Sequence, residues 1–447
     1  MVSVPRVVIG APASGHGTTT VATGLLAAFA RRGVRVAPFK VGPGHIGPGH
    51  IGPGYIGPGR NLDPVLTGER LIGPLFAHGA AGAELAIVEG TAGLYDGRAG
   101  AGDTGSTAQV AGLLDAPVLL VVDAAAQGRS IAALVHGFRG FGSVRLAGVI
   151  LNRVGSDRHE ELLREACEEV GTPVLGAIRE AGAVAAPARD PGPIPAAARA
   201  SVDALAALVA ASVDLDEVAA VARSAPPLHA EPWSPSAAVG EPIGGRPVLA
   251  LAGGPAFPFA DTETRELLTA AGADVIVVDP LRDEKLPAGT RGLVVGRGLP
   301  EAYAPELSAN EPLRREVAAL AAAGGPIVAG GAGLLWLCRT LDDAPMCGVL
   351  DADGAVTPAL TLGYRDAVAL ADSPLAPAGT RVTGYEFHRT AVHPRSGLLL
   401  SPAAGAAWQW RGADPEGFAL PHVHASYLHL HWAGAPALAR NVVAAGR

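Results

Sequence analysis

A glycine-rich segment near the N-terminus, Ala11–Thr20, reads Ala-Pro-Ala-Ser-Gly-His-Gly-Thr-Thr-Thr and has the composition of an anion-binding loop. It lies between a predicted strand and a predicted helix, where backbone N–H groups at the helix N-terminus favour an anion. A complete P-loop carries a lysine before its hydroxyl residue, and this chain has Thr18 in that place. The alternative is an ordinary strand-to-helix turn. The candidate nucleotide-binding residues are Gly15, His16, Gly17, Thr18, Thr19 and Thr20.

Two carboxylates follow a later apolar run. Glu89 ends the segment Leu-Ala-Ile-Val-Glu, and Asp96 comes seven residues later in a glycine-rich loop. Carboxylates close to a phosphate loop suit Mg²⁺ and a polarised substrate, so Thr19 and Glu89 are candidate magnesium ligands. The alternative is that a strand-end carboxylate only caps a helix.

A second turn with chemical potential lies at Pro326–Leu335, where a strand, a tight turn and a helix are predicted in the order of a nucleophile elbow. The tip of this turn is Gly331, which has no nucleophile. Cys338 lies seven residues further and is predicted to be a core residue. Near the C-terminus, His422–Trp432 alternates with strand period and would place His429 and His431 on one face. Without a cysteine partner, a hydrogen-bonded structural role competes with a role for His429 as a base.

A repeat with a period of five residues occupies Gly42–Gly59, in which Gly-Pro-Gly-His-Ile occurs twice. Glycine and proline at these positions forbid a helix and disfavour a central strand, so the segment is predicted to be a loop. His45 and His50 could bind a metal, and a solvated loop is the alternative.

Short apolar runs alternate with helical stretches along most of the chain, which is typical of an α/β protein whose parallel sheet is covered on both faces. A Pro/Ser-rich segment interrupts the pattern, so we predict a domain at 1–225, a linker at 226–245 and a second domain at 246–447. The last hundred residues or so are expected to mix short strands and loops.

Composition excludes several classes of protein. The chain has 447 residues and a net charge of −8, without the basic excess usual in nucleic-acid binders. Its 49% hydrophobic content excludes a mainly disordered protein, and its three cysteines are too few for a disulfide framework. No apolar run reaches a membrane span of about 18 residues, and the first residues do not resemble a secretion signal. A cytoplasmic location is therefore expected.

Taken together, these segments resemble the cobyrinate or hydrogenobyrinate a,c-diamide synthase family of cobalamin biosynthesis. The resemblance covers nearly the whole chain and is carried by Val36–Pro43, Gly59–Asp63, Glu89–Gly90, Gly93–Gly97, Leu151–Asn152, Ser156–Glu160, Leu307–Leu313, Leu362–Asp366, Glu386–Thr390 and Ala425–His431.

The resemblance implies an N-terminal P-loop domain similar to dethiobiotin synthetase and a C-terminal domain similar to class I glutamine amidotransferases. The family is an ATP-dependent ligase that uses Mg²⁺ and glutamine to form two amides on a corrin ring. ATP would activate a carboxylate as an acyl phosphate, and ammonia released from glutamine by a Cys–His pair would attack it. The implied catalytic positions are Glu89, Asp96 and His429, with Gly331 at the nucleophile position. A homodimer is also implied.

The departures from the family pattern fall on the chemistry. The family has lysine at Thr18, aspartates at Gly44 and Gly47, and cysteine at Gly331. It also has glycine at Arg297, where an arginine side chain would crowd a glutamine pocket. We therefore expect no glutaminase activity and impaired ATP-dependent amidation. The alternatives are a non-catalytic protein that binds a tetrapyrrole, a nucleotide or an active paralogue, and a changed chemistry in the old cleft.

Overall fold

The computed structural model describes residues 2–44, 59–180, 196–258, 261–399 and 405–447. The chain divides into two compact units, with the boundary between Trp233 and Ser234, inside the predicted linker. The predicted histidine-containing loop, with His45 and His50, lies outside the described residues, as does Gly47. No helix in the described ranges is long and apolar enough to cross a membrane.

The first unit is built on a fully parallel sheet with the strand order β3-β2-β4-β1-β5-β6-β7. Its strands are β1 (Arg6–Gly10), β2 (Val36–Val41), β3 (Arg60–Leu62), β4 (Leu85–Glu89), β5 (Val118–Asp123), β6 (Leu146–Val154) and β7 (Val174–Arg179). Its helices are α1 (Thr18–Arg31), α2 (Pro64–Thr67), α3 (Glu69–Gly79), α4 (Thr107–Leu113), α5 (Ile131–Phe141), α6 (Asp157–Glu169), α7 (Ala196–Ser212) and α8 (Leu215–Arg223).

The second unit contains two further sheets. Its strands are β8 (Val248–Ala252), β9 (Asp274–Val278), β10 (Thr290–Val295), β11 (Ile327–Gly330), β12 (Thr340–Leu341), β13 (Ala344–Pro345), β14 (Asp353–Ala369), β15 (Arg381–His393), β16 (Trp408–Trp410), β17 (Phe418–Ala419) and β18 (Val423–Ser426). Its helices are α9 (Pro235–Val239), α10 (Thr262–Ala270), α11 (Ala304–Ala309), α12 (Glu311–Ala322), α13 (Leu334–Leu337) and α14 (Ala437–Ala445). One sheet has the order β17-β18-β11-β10-β8-β9 and is parallel except at β17, and the other has the order β13-β12-β14-β15 with β16 on β14.

The central strands form as the sequence predicts because their side chains are buried on both faces. All five residues of β1 and of β4 are buried, and no charged side chain interrupts the apolar run of β1 after Arg6. The predicted α/β fold with a parallel sheet is therefore confirmed.

Two predictions about the C-terminal region are wrong. The last hundred residues contain β14 and β15, with 17 and 13 residues, rather than only short strands and loops. These strands are partly exposed and interrupted by residues such as Gly363, so their sequence lacks a clean alternation. The second error concerns the histidine-rich segment, because β18 ends at Ser426 and the strand does not reach His429. Cys338, predicted to be a core residue, is fully buried in the core of this unit.

Helices α1 and α7 approach closely at Gly24, where a Cβ atom would overlap the Val209 side chain and lie 3.0 Å from the Leu205 carbonyl oxygen. Because part of this obstacle is backbone, we expect Gly24→Ala to destabilise the protein by about 1–3 kcal/mol despite the better helix propensity of alanine. Urea denaturation would measure the change.

The matched control is Gly137→Ala in α5, where a Cβ atom would meet nothing within 4 Å. There the change should stabilise the helix by about 0.5–1 kcal/mol. Equal effects of the two substitutions would show that the close approach of α1 and α7 has no energetic weight.

Candidate functional site

The predicted phosphate loop lies at the carboxyl end of β1 and leads directly into α1, which begins at Thr18. Gly15 and Gly17 have φ values of 92° and 97°, a left-handed conformation that favours glycine. Backbone N–H groups at such a loop and at the start of a helix are suited to an anion. The predicted phosphate loop therefore has a conformation suited to an anion, with Thr18 where a complete P-loop carries lysine.

A buried charged cluster lies next to this loop. The Thr19 hydroxyl donates to Oε1 of Glu89 over 2.6 Å, and the ammonium group of Lys40 donates to the same oxygen. Lys40 and Glu89 are directly opposite each other on β2 and β4, and each is only 5% exposed. The carboxylate is therefore compensated by a lysine from a neighbouring strand, and Thr19 and Glu89 present adjacent oxygen atoms of the kind Mg²⁺ prefers.

Gly44 and Asp96 are two further positions of interest in this unit. A Cβ atom on Gly44 would lie 2.9 Å from Cε of Lys40 and 3.6 Å from the Thr91 hydroxyl, so a side chain at this position would reach the charged cluster. Asp96, a predicted catalytic residue, is exposed and accepts a hydrogen bond from the Gly93 backbone N–H over 2.9 Å. In this geometry its carboxylate stabilises its own loop.

In the second unit, the predicted elbow is present at the end of β11. Gly331 follows the strand immediately and has a φ of 60°. The neighbouring parallel strand β18 pairs Ser426 with Gly330, and His429 follows three residues later. The backbone of His429 is fixed by reciprocal hydrogen bonds with Tyr385, of 3.0 and 2.9 Å. Gly331 and His429 thus follow the ends of two adjacent strands, β11 and β18.

The side chain of Arg297 occupies the space next to Gly331 at the elbow. A Cβ atom on Gly331 would lie 2.8 Å from Cγ of Arg297, closer than real side chains approach. The guanidinium donates to Oδ1 of Asp261 over 3.2 Å, and Oδ2 of the same carboxylate lies 3.3 Å from Nε2 of His429. The Asp261 side chain is 3% exposed and that of Arg297 is 16% exposed. A buried ion pair therefore stands between the elbow and the histidine.

Burial sets the protonation states in this pocket. It opposes ionisation of Asp261, but attraction to nearby positive charge, to which Arg297 contributes, outweighs it, so the pKa of Asp261 lies below its usual value. Burial, with a contribution from the charge of Arg297, lowers the pKa of His429 to about 3. At neutral pH the carboxylate is thus charged and the imidazole is neutral.

The remaining cavity is small. Its volume is about 50 Å³, and its lining includes Asp261, Arg297, Gly330, His424 and His429. A water needs about 10–15 Å³, so the cavity has room for a few waters.

The segment that carries His429 is held by a buried carboxyl group on Glu416. Ser426 donates its hydroxyl to Oε2 over 2.6 Å, and the backbone N–H of Tyr427 donates to Oε1 over 2.8 Å. The hydroxyl of Ser426 in turn accepts from the N–H of Leu428 over 2.9 Å. Burial raises the pKa of Glu416 to about 7, with smaller opposing effects from these two donors.

Comparison with known proteins agrees with the geometry of both units. The family described as the CobQ/CobB/MinD/ParA nucleotide binding domain matches residues 7–194. The CobB/CobQ-like glutamine amidotransferase domain matches residues 250–437. The chain therefore has the architecture of a nucleotide-binding domain joined to a glutamine amidotransferase-like domain.

Full-length relatives narrow this class further. The hydrogenobyrinate a,c-diamide synthase of Streptomyces coelicolor is 53% identical, over 99% of this chain and 97% of the relative. That of Mycobacterium bovis is 50% identical, over 99% and 98%. The cobyrinate a,c-diamide synthase of a Synechococcus strain is 37% identical, over 98% and 97%. The chain belongs to the cobyrinate/hydrogenobyrinate a,c-diamide synthase family.

Sequence reasoning did not assign Lys40, Asp261 or Glu416 to a site. Lys40 carried a usable signal, since it is one of only two lysines and lies near the end of β2. Asp261 and Glu416 carried none, because only folding brings them to their partners, which lie 36 residues from Asp261 at Arg297 and ten residues from Glu416 at Ser426.

We expect the buried carboxyl of Glu416 to make stability fall as pH rises. Its folded pKa is about 7, against an unfolded value near 4.5, so between these values the unfolded chain releases a proton that the folded chain retains. At about 1.4 kcal/mol per pKa unit, the wild type should lose about 2–3 kcal/mol relative to Glu416→Gln between pH 5 and pH 8. Urea denaturation at several pH values would measure this difference.

Glu284→Gln, which changes an exposed carboxylate in the same unit, serves as the control and should follow the wild type at every pH. A constant difference between wild type and Glu416→Gln would contradict the expectation.

Proposed function

We propose that this chain is an a,c-diamide synthase relative that cannot use glutamine, so that any amide it forms takes its nitrogen from free ammonia. The observation that carries the proposal is the elbow, where Gly331 offers no thiol and Arg297 fills the space above it. Releasing ammonia from glutamine through a covalent intermediate needs a nucleophile at this point. The neutral His429 has no thiol to deprotonate and faces Asp261 instead.

The proposed reaction belongs to the first unit. The γ-phosphoryl group of ATP passes to a carboxylate of a corrin substrate, giving an acyl phosphate and ADP. Ammonia then attacks the acyl carbon, and phosphate leaves as the amide forms and the nitrogen loses a proton. Thr19 and Glu89 would hold Mg²⁺, which supplies positive charge at the phosphates when bound. Lys40 keeps a second positive charge beside the loop.

Two replacements support slow rather than efficient amidation. Thr18 leaves the phosphate loop without the lysine that stabilises charge on a transferred phosphoryl group. Gly44 removes a carboxylate from a position that reaches Lys40. A low rate with ammonium, ATP and Mg²⁺ is therefore expected.

A second candidate function is a non-catalytic binding protein for a corrin, a nucleotide or an active paralogue. It is favoured by the combined changes at Thr18, Gly44, Arg297 and Gly331, which affect both half-reactions.

An amidation assay separates the two proposals. Incubation of cobyrinate or hydrogenobyrinate with ATP, Mg²⁺ and ammonium should give one- or two-amide products by mass if the first is right. Binding by calorimetry without any product would favour the second.

The wild-type protein should form no glutamate from glutamine. We expect Gly331→Cys alone to remain inactive because its Cβ would collide with Arg297, whereas the double variant Gly331→Cys with Arg297→Gly should produce glutamate. Glutamate release measured by a coupled assay would test both statements.

The matched control adds His429→Ala to the double variant and should abolish its activity. Glutamate production by the wild-type chain, lost on His429→Ala, would overturn the proposal. Equal activity of Gly331→Cys with and without the second substitution would show that Arg297 is no obstacle.

Restoring the lysine should strengthen nucleotide binding. A charge-assisted contact contributes about 1.5–3 kcal/mol, so Thr18→Lys should lower the Kd for Mg-ATP about tenfold to a hundredfold. Isothermal titration calorimetry would measure it. Ser14→Lys adds the same charge at an exposed position of the loop and is the control. The same gain in both variants would point to general electrostatic attraction instead of a restored phosphate contact.

A further inference from the structure

His16 forms hydrogen bonds that connect the phosphate loop to two neighbouring strands, β5 and β6. Its Nδ1 accepts a hydrogen bond from the backbone N–H of Asp123, at the carboxyl end of β5, over 2.9 Å. Its carbonyl oxygen accepts from Nδ2 of Asn152, on β6, over 2.9 Å. The ring and the backbone of one loop residue therefore both bind to the fixed sheet.

The strand ends that hold His16 are themselves linked. Asp123 and Asn152 are opposite each other in the pairing of β5 with β6. The carboxylate of Asp123 accepts from Nε of Arg153 over 2.9 Å, and Nη2 of Arg153 donates to the carbonyl oxygen of Gly15 over 3.4 Å. The loop thus meets a preassembled set of partners.

The hydrogen bond at Nδ1 requires a particular form of the ring. An imidazole that accepts at Nδ1 is neutral and carries its proton on Nε2. Burial lowers the pKa of His16, as does the charge of Arg153, while Asp123 acts in the opposite direction. Neutral His16 is therefore the dominant form at pH 7, and at this pH its Nδ1 can accept the hydrogen bond from the Asp123 backbone N–H.

We propose that His16 is a positioning residue that fixes the backbone N–H groups of the phosphate loop for a nucleoside triphosphate. This inference rests on the proposed ATP-binding function. In a loop without lysine, phosphate recognition depends more heavily on backbone N–H groups, and donors fixed in advance bind an anion without a further ordering cost. Gly15 and Gly17, on either side of His16, have φ values in the left-handed region. The hydrogen bonds of His16 therefore restrain the loop between two glycines, whose backbone is conformationally permissive.

Three substitutions of His16 distinguish a role of its Nδ1 acceptor from effects of side-chain size and polarity. The amide oxygen of Asn can replace Nδ1 as the acceptor for Asp123, whereas the amide of Gln reaches the Nε2 position, and Ala replaces neither. We expect His16→Asn to keep most of the ATP affinity, and His16→Gln and His16→Ala to weaken it about threefold to tenfold. His136→Ala, which removes an exposed histidine on α5, is the control and should bind ATP like the wild type.

A second readout needs no nucleotide. Hydrogen exchange of the Asp123 amide should accelerate in His16→Gln and His16→Ala and stay slow in His16→Asn, and ¹⁵N spectra should report the Nε2–H form of His16 in the wild type. Unchanged ATP affinity and unchanged exchange in His16→Ala would overturn the proposal. If the wild type binds no ATP, the proposed nucleotide function fails, and the exchange measurement alone decides whether His16 fixes the loop.

Discussion

Parallel strand pairing is the constraint on which both sites depend. Hydrogen bonding between parallel strands sets a register, and the register decides which side chains meet at the carboxyl edge of the sheet. In the first unit it places Glu89 opposite Ile9 on one side and opposite Lys40 on the other. In the second unit it places Gly330 opposite Ser426 and so brings the elbow and the histidine segment to one edge. Thr18 and Gly331 take no part in this pairing, since neither residue lies within a strand.

The energetics of buried charge then govern what these edges can hold. Removing one partner of a buried pair is expected to cost about 3–5 kcal/mol, because the other charge is left uncompensated. Lys40 and Glu89 satisfy each other, and Arg297 is matched by Asp261. The arginine in the second unit is therefore stably placed, and His429 stays neutral beside the pair. The charges of Arg297 and Asp261 are thus paired without a ligand, which agrees with the proposed loss of glutamine use.

The central strands, the phosphate loop and the elbow could be predicted from sequence because each depends on local patterns. Apolar runs buried on both faces mark β1 and β4, and glycine spacing marks the loop at Gly15 and Gly17. The long ribbon of β14 and β15 could not be predicted, because its stability comes from pairing between distant residues and its exposed face blurs the alternation. The role of Asp261 could not be predicted either, because it depends on contacts with Arg297 and His429, which are distant in the chain.

Thr18 and Gly331 differ in how they affect the charge and packing of their sites. At the phosphate loop, Thr18 stands where a complete P-loop carries lysine, and Lys40 supplies a cation that balances the charge of Glu89. At the elbow, a small residue at Gly331 leaves space, and the long stem of Arg297 fills it while its charge finds Asp261. Filling a void and pairing a charge both favour the folded state. The residues that support the proposed loss of chemistry are thus compatible with a stable fold, because the buried charges beside Thr18 and Gly331 have partners.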